Sequence, residues 1–175
     1  MTAIRHFFFE TAFGKAAVTF SNAPFRLKEV CLPRPAKTDI LANMKVDRRG
    51  VETTHPMADR IAAMIANYFT GSRFSIPWDI MDTSDWTPAQ AAVYRTVAQI
   101  PYGQVRSYGE VARLAGKPQA ARFVGNCMAA NPFPVFVPCH RVIASSGRLG
   151  GFGGGLELKR KMLSLEGYPL DPAKS

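Results

Sequence analysis

Two short motifs that begin α-helices place the strongest constraint on how this sequence can fold. In each motif a hydroxyl side chain stands three residues before a glutamine or glutamate, which is the capping box typical of helix N-termini. The first is Thr87-Pro88-Ala89-Gln90, with proline at the first helical position, and the second is Ser107-Tyr108-Gly109-Glu110. The sequence therefore predicts one helix after Thr87 and another after Ser107.

A further helix follows a break in the chain. Gly116-Lys117-Pro118 interrupts the pattern, and the segment from Gln119 to Ala130 then predicts a helix that stops at Asn131-Pro132. Two short helices around a glycine-containing break are typical of a helix-turn-helix, with the second as the recognition helix.

A last helix is predicted from Leu156 to Glu166, and Gly167 would end it. Its pattern predicts that Leu156, Met162, Leu163 and Leu165 face inward and that Lys159, Arg160 and Lys161 face outward. The second half is therefore expected to be a mostly α domain over residues 87–170, followed by a tail at 171–175.

The first half, residues 1–86, predicts a small α/β domain. Segments 5–11 and 16–21 are rich in Phe, Val and Thr, with Phe13-Gly14-Lys15 between them as a hairpin turn. The segment from Leu27 to Leu32 adds a third candidate strand.

One helix and a linker complete this half. Apolar residues recur at helical spacing from Pro56 to Tyr68, and Gly71 follows as a stop. The acidic, turn-prone segment from Asp79 to Trp86 is expected to link the two domains.

The net charge of +9 is unevenly distributed. Residues 1–86 hold eleven Lys and Arg against nine Asp and Glu, whereas residues 87–175 hold eleven against four. The second half, at +7, predicts a polyanionic partner, with nucleic acid the first candidate and anionic lipid the second.

The overall composition is that of a folded protein. Hydrophobic residues at 47% and charged residues at 20% exclude intrinsic disorder as the main state.

The sequence favours an intracellular protein with free thiols. Its three cysteines cannot all pair, and charged residues interrupt the first twenty positions, unlike a secretory signal. No apolar run approaches the ~18 residues of a membrane span. His6, Cys31 and His55 fit no usual zinc spacing, so no metal is expected. No cofactor is expected either.

A candidate nucleophile lies between the predicted helices. Cys139 follows an apolar run and precedes His140 and Arg141, and nearby cations favour the thiolate. Because adjacent residues in an extended segment point to opposite faces, Cys139 and His140 would communicate through a water, with a carboxylate from elsewhere orienting the imidazole. Spacing alone leaves open a cysteine that is only a buried small hydrophobe.

The segment Pro138-Cys139-His140-Arg141-Val142 resembles the active-site motif of the methylated-DNA–protein-cysteine methyltransferases, the O6-alkylguanine-DNA alkyltransferases. The likeness runs from about Thr87 to Gly167, and the first half resembles only loosely the small α/β domain that family members carry in front. The other matching segments are Ile100 to Val105, Ser107-Tyr108, Ala120-Ala121-Arg122, Asn131-Pro132, Ser145-Ser146-Gly147, the six glycines within 147–155, and Leu165-Glu166-Gly167.

This resemblance implies a DNA repair protein that transfers an alkyl group irreversibly from O6 of guanine to Cys139, once per molecule. O4-alkylthymine stays open as a second substrate. His140 would act through a water as base, and Glu166 would orient it. Asn131 would bridge the helix-turn-helix to the active-site strand, and Tyr108 would hydrogen-bond the departing guanine.

The resemblance also implies the partner, which is double-stranded DNA carrying O6-alkylguanine. Arg122 would fill the place of a flipped nucleotide, because the O6 substituent cannot reach a buried thiol from within the duplex. Further expected DNA contacts are Gln119, Ala121, Met128 and Ser145, and the expected pocket walls are Tyr108, Pro134, Val142, Phe152 and Gly154. Phe152 stands where many family members have tyrosine, which puts one hydrogen bond to the flipped base in doubt.

A monomeric cytoplasmic protein is expected, without an obligate protein partner or a membrane contact, and associated with the nucleoid if prokaryotic.

Three functions other than alkyl transfer are alternatives for this sequence. A non-catalytic sensor of the alkyltransferase-like type would lack the acceptor cysteine, whereas Cys139 is present. A cysteine hydrolase would normally have its Cys and His far apart in sequence. A plain transcription factor would leave the thiol unexplained.

Overall fold

The computed structural model describes residues 3–46 and 50–171. The chain forms two compact units that divide after Asp82. None of the helices in the described part of the chain has the length and apolar character needed to span a lipid bilayer.

The first unit is built on a four-stranded sheet with the order β3-β2-β1-β4. Its strands are β1 (Ile4–Thr11), β2 (Gly14–Asn22), β3 (Phe25–Arg34) and β4 (Val51–Glu52). The first three are antiparallel, and β4 runs parallel to β1. The predicted strands are confirmed, but the first hairpin turn is tighter than expected because Gly14 already pairs with Thr11.

Two helices pack on this sheet. α2 (Pro56–Tyr68) has the predicted bounds, and the His55 imidazole caps it by accepting the Met57 N–H. The sequence did not predict α1 (Lys37–Asn43), whose Ile40 packs in one buried cluster with residues of β2 and β3.

The segment expected to be a linker is partly tied to the sheet. The Leu27 N–H donates to the Ile80 carbonyl at 2.8 Å, and the Asp82 N–H donates to the Leu27 carbonyl at 2.8 Å. Trp86, in contrast, packs against Tyr94 and Phe133 of the second unit.

The second unit is mostly α-helical, which confirms the predicted fold class of a small α/β part followed by a helical part with a helix-turn-helix. α3 contacts α4 and α5, which also contact each other, and two short strands pair in parallel. The elements in chain order are α3 (Pro88–Ala98), β5 (Arg106–Ser107), α4 (Tyr108–Leu114), α5 (Ala121–Ala130), a 3-10 turn (Cys139–Arg141), β6 (Val142–Ile143) and α6 (Leu156–Leu165).

Both capping boxes form as predicted. Thr87 Oγ1 accepts the Gln90 N–H at 3.2 Å, and the Gln90 side chain accepts the Thr87 N–H at 2.9 Å. Ser107 Oγ accepts the Glu110 N–H at 3.2 Å, and the Glu110 carboxylate accepts the Ser107 N–H at 2.7 Å. The start of each helix is therefore fixed by local sequence.

The recognition helix α5 begins at Ala121 rather than at Gln119. The Ala120 N–H donates to the Lys117 carbonyl at 2.9 Å, which closes a turn with Pro118 and Gln119 at its centre. Proline favours the second position of such a turn. Gln119 therefore lies in the turn of the helix-turn-helix.

Two side chains of α6 are oriented opposite to the prediction. Leu156, expected to face inward, is 42% exposed, whereas Lys159, expected to face outward, is fully buried. Lys159 Nζ donates to the backbone carbonyls of Val142, at 2.7 Å, and Leu149. These carbonyls provide the hydrogen bonds that a buried ammonium requires.

Candidate active site

Cys139 lies in a 3-10 turn, not in the extended segment that the sequence suggested. The Arg141 N–H donates to the Pro138 carbonyl at 2.9 Å, which closes the turn, and β6 begins only at Val142. Successive residues in such a turn point roughly 120° apart. Cys139 and His140 therefore still face different directions, and both are buried.

Asn131 connects the end of α5 to the residues just before the cysteine. Its side-chain amide donates to the Val137 carbonyl at 2.8 Å and accepts the Phe133 N–H at 3.0 Å. Between them Val135 has φ 77°, a left-handed conformation that is strained for a β-branched residue. The hydrogen bonds of Asn131 thus hold a strained segment that leads to Cys139.

His140 forms a buried pair with Glu166. The two side chains lie 2.8 Å apart, between Nε2 and Oε1, without solvent exposure. Burial lowers the pKa of His140, and the nearby carboxylate offsets only part of this effect. Because an ionised carboxylate only accepts, Nε2 carries the proton and Nδ1 is the nitrogen able to take up another.

Arg141 fixes the other side of the Glu166 carboxylate. Its Nε donates to Oε2 at 2.9 Å and its Nη2 donates to Oε1 at 2.8 Å, while the Gly103 N–H also reaches Oε2 at 3.1 Å. Although burial by itself raises the pKa of Glu166, the hydrogen bonds from His140 and Arg141 hold that pKa well below its ordinary value. Glu166 is therefore ionised.

The sequence suggested Arg141 as a cation beside the thiol, and this contact with Glu166 was missed. Arg141 makes a third hydrogen bond, in which Nη1 donates to the Ile100 carbonyl at 2.7 Å. This bond helps to hold the guanidinium in its position beside Glu166. The sequence did offer one indication of this contact, because Arg141 follows His140 directly. A guanidinium can donate two parallel hydrogen bonds to a carboxylate, so Arg141 can bind the same carboxylate that pairs with the neighbouring histidine.

Lys159, which was expected to face outward, is buried in this part of the second unit. Burial lowers its pKa to about 8, and a charge on Cys139 would act in the opposite direction. Its Nζ lies 5.9 Å from the centre of the Phe152 ring. The lysine thus links α6 to β6 and to the glycine-rich loop behind the cavity wall.

A cavity of about 430 Å³ opens beside the cysteine. Its lining consists of Tyr108, Gly125, Met128, Ala129, Cys139, Gly151, Phe152 and Gly153. Burial raises the pKa of Tyr108, so its hydroxyl stays protonated and can donate a hydrogen bond. A Cβ at Gly150, where φ is 69°, would lie 3.0 Å from this hydroxyl, so the loop approaches Tyr108 closely.

The predicted pocket residues are only partly brought together. Tyr108 and Phe152 line the cavity, whereas Pro134, Val142 and Gly154 are not among its lining residues. Pro134 and Val142 are buried, and the carbonyl of Val142 accepts from Lys159. The prediction of these three as pocket walls therefore does not match the cavity.

The predicted DNA contacts separate into two groups. Gln119, Ala121, Arg122 and Ser145 are exposed, and Arg122 is the second residue of α5. Met128, in contrast, is 8% exposed and lines the cavity. Its position on α5, four residues after the buried Val124, turns it inward.

Within residues 3–46 and 50–171 there is no group of three or more His, Cys, Asp or Glu side chains that could hold a metal ion.

The second unit is thus a helix-turn-helix domain that carries a buried Cys-His-Glu arrangement beside a cavity. The family model described as "6-O-methylguanine DNA methyltransferase, DNA binding domain" matches residues 88–168. A methylated-DNA–protein-cysteine methyltransferase from Salmonella typhimurium is 41% identical over 121 residues, which are 69% of this chain and 68% of that protein. The chain belongs to the methylated-DNA–protein-cysteine methyltransferase family.

Other relatives agree with this assignment. The methyltransferase of the same name from Mycolicibacterium paratuberculosis is 46% identical over 101 residues, 57% of this chain and 59% of that protein. The chain therefore matches about three fifths of the length of that relative. The crystal structure of Mycobacterium tuberculosis OGT in complex with DNA has a TM-score of 0.73 and 32% identity, covering 93% of this chain and 92% of that chain.

Proposed function

We propose that this protein repairs DNA by transferring an alkyl group from O6 of guanine to Cys139. The observation that supports this most directly is the position of Cys139, which lines a cavity while the next residue, His140, is held by Glu166 at 2.8 Å. A thiol with an oriented base nearby is an activated nucleophile. The names of the curated relatives agree with this reaction.

In the proposed step, Cys139 Sγ bonds to the alkyl carbon as the bond from that carbon to O6 breaks. The thiol proton passes through a water to Nδ1 of His140, and the guanine keeps the electron pair of the broken bond and takes up one proton from solvent. When His140 returns its proton to solvent, atoms and charge balance. A thioether has no built-in reversal, so each molecule acts once.

The neighbouring residues support this step from two sides. The ionised Glu166 orients His140 and stabilises the imidazolium that forms. Tyr108, whose hydroxyl stays protonated, donates a hydrogen bond to the guanine as negative charge develops there. Asn131 and Arg141 are positioning residues. Asn131 holds the segment before Cys139, and Arg141 holds the carboxylate of Glu166.

The proposed partner is double-stranded DNA, and the structure of the Mycobacterium tuberculosis relative is of a complex with DNA. The N-terminal residues of a recognition helix contact bases in other helix-turn-helix proteins, and Arg122 has this position on α5. We assign it to the place of the flipped nucleotide, with Gln119, Ala121 and Ser145 as further DNA contacts. We assign DNA binding to residues 87–170, which lie within the second unit.

A DNA substrate is consistent with action as a monomer in the cytoplasm, at the nucleoid in a prokaryote. The test is to incubate the protein with duplex DNA containing O6-methylguanine and to measure the mass of the peptide that carries Cys139. The expected result is the addition of one methyl group.

Two variants sharpen this test. Cys139→Ser is expected to lose the methyl transfer but to keep DNA binding, because the thiol contributes chemistry rather than phosphate contacts. Cys127→Ala, which removes a buried thiol of α5 outside the cavity, serves as the matched control and is expected to react. Binding to damaged DNA without any transfer by the unsubstituted protein would instead support a sensor of alkylated bases.

A further inference from the structure

We propose that Tyr102 and Gly103 are positioning residues for alkyl transfer, because the turn that they form holds the carboxylate of Glu166 against His140. This inference rests on the proposed function and adds two residues to the site that carries it out. Its basis is a set of contacts between this turn and the C-terminal end of α6, where Glu166 lies.

Tyr102 and Gly103 occupy the two central positions of a tight turn between α3 and β5. The Gln104 N–H donates to the Pro101 carbonyl at 3.1 Å, which closes the turn. Gly103 has φ 76°, which is typical of the second central position of a type II turn and which glycine adopts without strain. The backbone of the turn therefore explains the glycine, but it does not explain what the turn contacts.

The Tyr102 hydroxyl binds the last carbonyl of α6. The last four carbonyls of a helix have no partner within it and must find one elsewhere. In α6, the carbonyls of residues 162–164 accept backbone N–H groups from residues 166–168. The carbonyl of Leu165 accepts instead from the Tyr102 hydroxyl, at 3.1 Å. Tyr102 thus holds the residue directly before Glu166.

Gly103 contacts Glu166 itself at two points. Its N–H donates to the carboxylate oxygen Oε2 at 3.1 Å. A Cβ at Gly103 would lie 2.8 Å from the backbone carbonyl oxygen of Glu166, which is closer than real Cβ contacts. Only glycine therefore lets the turn approach both the backbone and the carboxylate of Glu166.

Arg141 connects the same turn to the carboxylate. Its guanidinium carbon lies 5.7 Å from the centre of the Tyr102 ring, within the range of a cation–π contact. Two of its nitrogens donate to Glu166, and a third donates to the carbonyl of Ile100, just before the turn. The guanidinium thus spans from the turn to the carboxylate that pairs with His140, at 2.8 Å between Oε1 and Nε2.

The position of this carboxylate matters because the proposed proton transfer depends on the direction of the imidazole. Glu166 holds Nε2 of His140, so a displaced carboxylate turns Nδ1 away from the water that carries the thiol proton. A misplacement of about 1 Å can cost about 10²-fold in rate. Changes at Tyr102 and Gly103 are therefore expected to slow transfer while the proposed DNA contacts stay in place.

The test measures transfer from duplex DNA containing O6-methylguanine at saturating DNA, with the adduct on Cys139 followed by protein mass. Gly103→Ala is expected to slow transfer by about tenfold or more, and Tyr102→Phe, which removes only the hydroxyl, by about threefold. The affinity for the duplex is expected to stay within about twofold, because neither residue is among the proposed DNA contacts. Since each molecule reacts once, the final amount of adduct counts the folded molecules, and the rate reports on the site within them.

Gly71→Ala is the matched control for Gly103→Ala. Gly71 also has a left-handed φ, of 96°, but a Cβ there would meet no heavy atom of the described residues within 4 Å. The substitution therefore introduces the backbone strain without the close approach to Glu166. Its rate of transfer is expected to equal that of the unsubstituted protein, and a loss as large as that of Gly103→Ala would contradict the inference.

A second measurement shows whether the turn acts through Glu166. Gly103→Ala is combined with Glu166→Gln, in which His140 has already lost its negative partner. If the turn acts through the carboxylate, the added substitution slows transfer by less than about threefold, because the effects of coupled residues do not add. A further loss of about tenfold would show an independent effect on packing and would overturn the inference.

Two outcomes separate this inference from the proposed function. If the unsubstituted protein forms the methyl adduct and both Tyr102→Phe and Gly103→Ala react at the same rate, the inference is overturned and the proposed function stands. If the unsubstituted protein forms no adduct, the proposed function fails and the inference fails with it.

Discussion

Glu166 stands at the C-terminal cap of α6, where the helix macrodipole disfavours a carboxylate. Donors from His140, Arg141 and Gly103 surround it there. A buried charge that is both paired and hydrogen-bonded is tolerated, whereas the removal of one partner leaves the others uncompensated. These hydrogen bonds compensate for the unfavourable position of Glu166, and they keep its carboxylate where it holds the imidazole of His140.

Glu166→Gln is expected to slow methyl transfer by about 10²-fold without abolishing it. The amide can still occupy the site, but it gives His140 no negative charge and can offer a donor where the imidazole needs an acceptor. The rate of methyl transfer from O6-methylguanine DNA measures this effect, with the thermal unfolding temperature as the check on folding. A rate equal to that of the unsubstituted protein would remove Glu166 from the proposed relay.

The pH dependence of transfer follows from the lowered pKa of His140. A proton acceptor works in its neutral form, so the rate should fall on the acid side only once the pH drops below the ordinary histidine value of about 6.5. Glu166 raises the pKa of His140, so its loss in Glu166→Gln should move this acid limb to still lower pH. A limb that moves to higher pH would contradict the assignment of His140 as the base.

Lys159 joins three elements of the second unit through one side chain. Lys159 lies on α6, and its ammonium donates hydrogen bonds to the carbonyl of Val142 in β6 and to that of Leu149 in the following loop. Leu149 lies three residues before Phe152, so the hydrogen bond from Lys159 helps to position the wall that carries Phe152. Its contribution is thus to the stability of the site rather than to charge on the surface.

Lys159→Met is expected to lower the free energy of unfolding by about 2–4 kcal/mol, because two buried carbonyls lose their donor. Lys161→Met is the matched control, since Lys161 pairs with the exposed Glu157 and such a surface ion pair contributes at most about 1 kcal/mol. Denaturant unfolding of the two variants measures the difference. Equal stability of both variants would show that the buried bonds contribute little.

Helix starts could be predicted from the sequence, because capping boxes act within four residues of the chain. The caps of α3 and α4 agree for this reason. The bounds of α2 agree because its apolar residues recur at helical spacing and Gly71 follows them. The burial of Lys159 was not predicted, because its charge was assumed to place it on the solvent-facing side of α6. Its spacing, three residues after Leu156 and four before Leu163, in fact gave no reason to separate it from the apolar residues.

Other features depend on contacts that lie far apart in sequence. The short helix α1 begins after Ala36, whose side chain cannot cap it, and packing of Ile40 against the sheet places the helix. The segment that leads to the 3-10 turn at Cys139 is held by Asn131 through the Val137 carbonyl. The inward position of Met128, in contrast, follows from its spacing four residues after Val124. The residues of the Cys-His-Glu arrangement were found from the motif, whereas the hydrogen bonds of Arg141 required the structure.

For the molecule as a whole, the excess of positive charge in residues 87–175 and the exposed Arg122 both bear on the proposed binding of DNA. Two roles of Arg122 differ in what they predict. A phosphate contact strengthens binding to normal and damaged DNA alike. A side chain that fills the vacated stack instead stabilises the flipped state, whose unstacking costs a few kcal/mol.

Arg122→Ala separates these two roles. We expect transfer from duplex DNA to fall much more than binding does, because nothing then compensates for the unstacking of the flipped nucleotide. Transfer from the free alkylated base needs no flipping and should change little. The measurement is the rate of adduct formation with each substrate, together with the affinity for undamaged duplex. A loss confined to binding would make Arg122 a phosphate contact, and equal losses with duplex and free base would point to a disturbed active site.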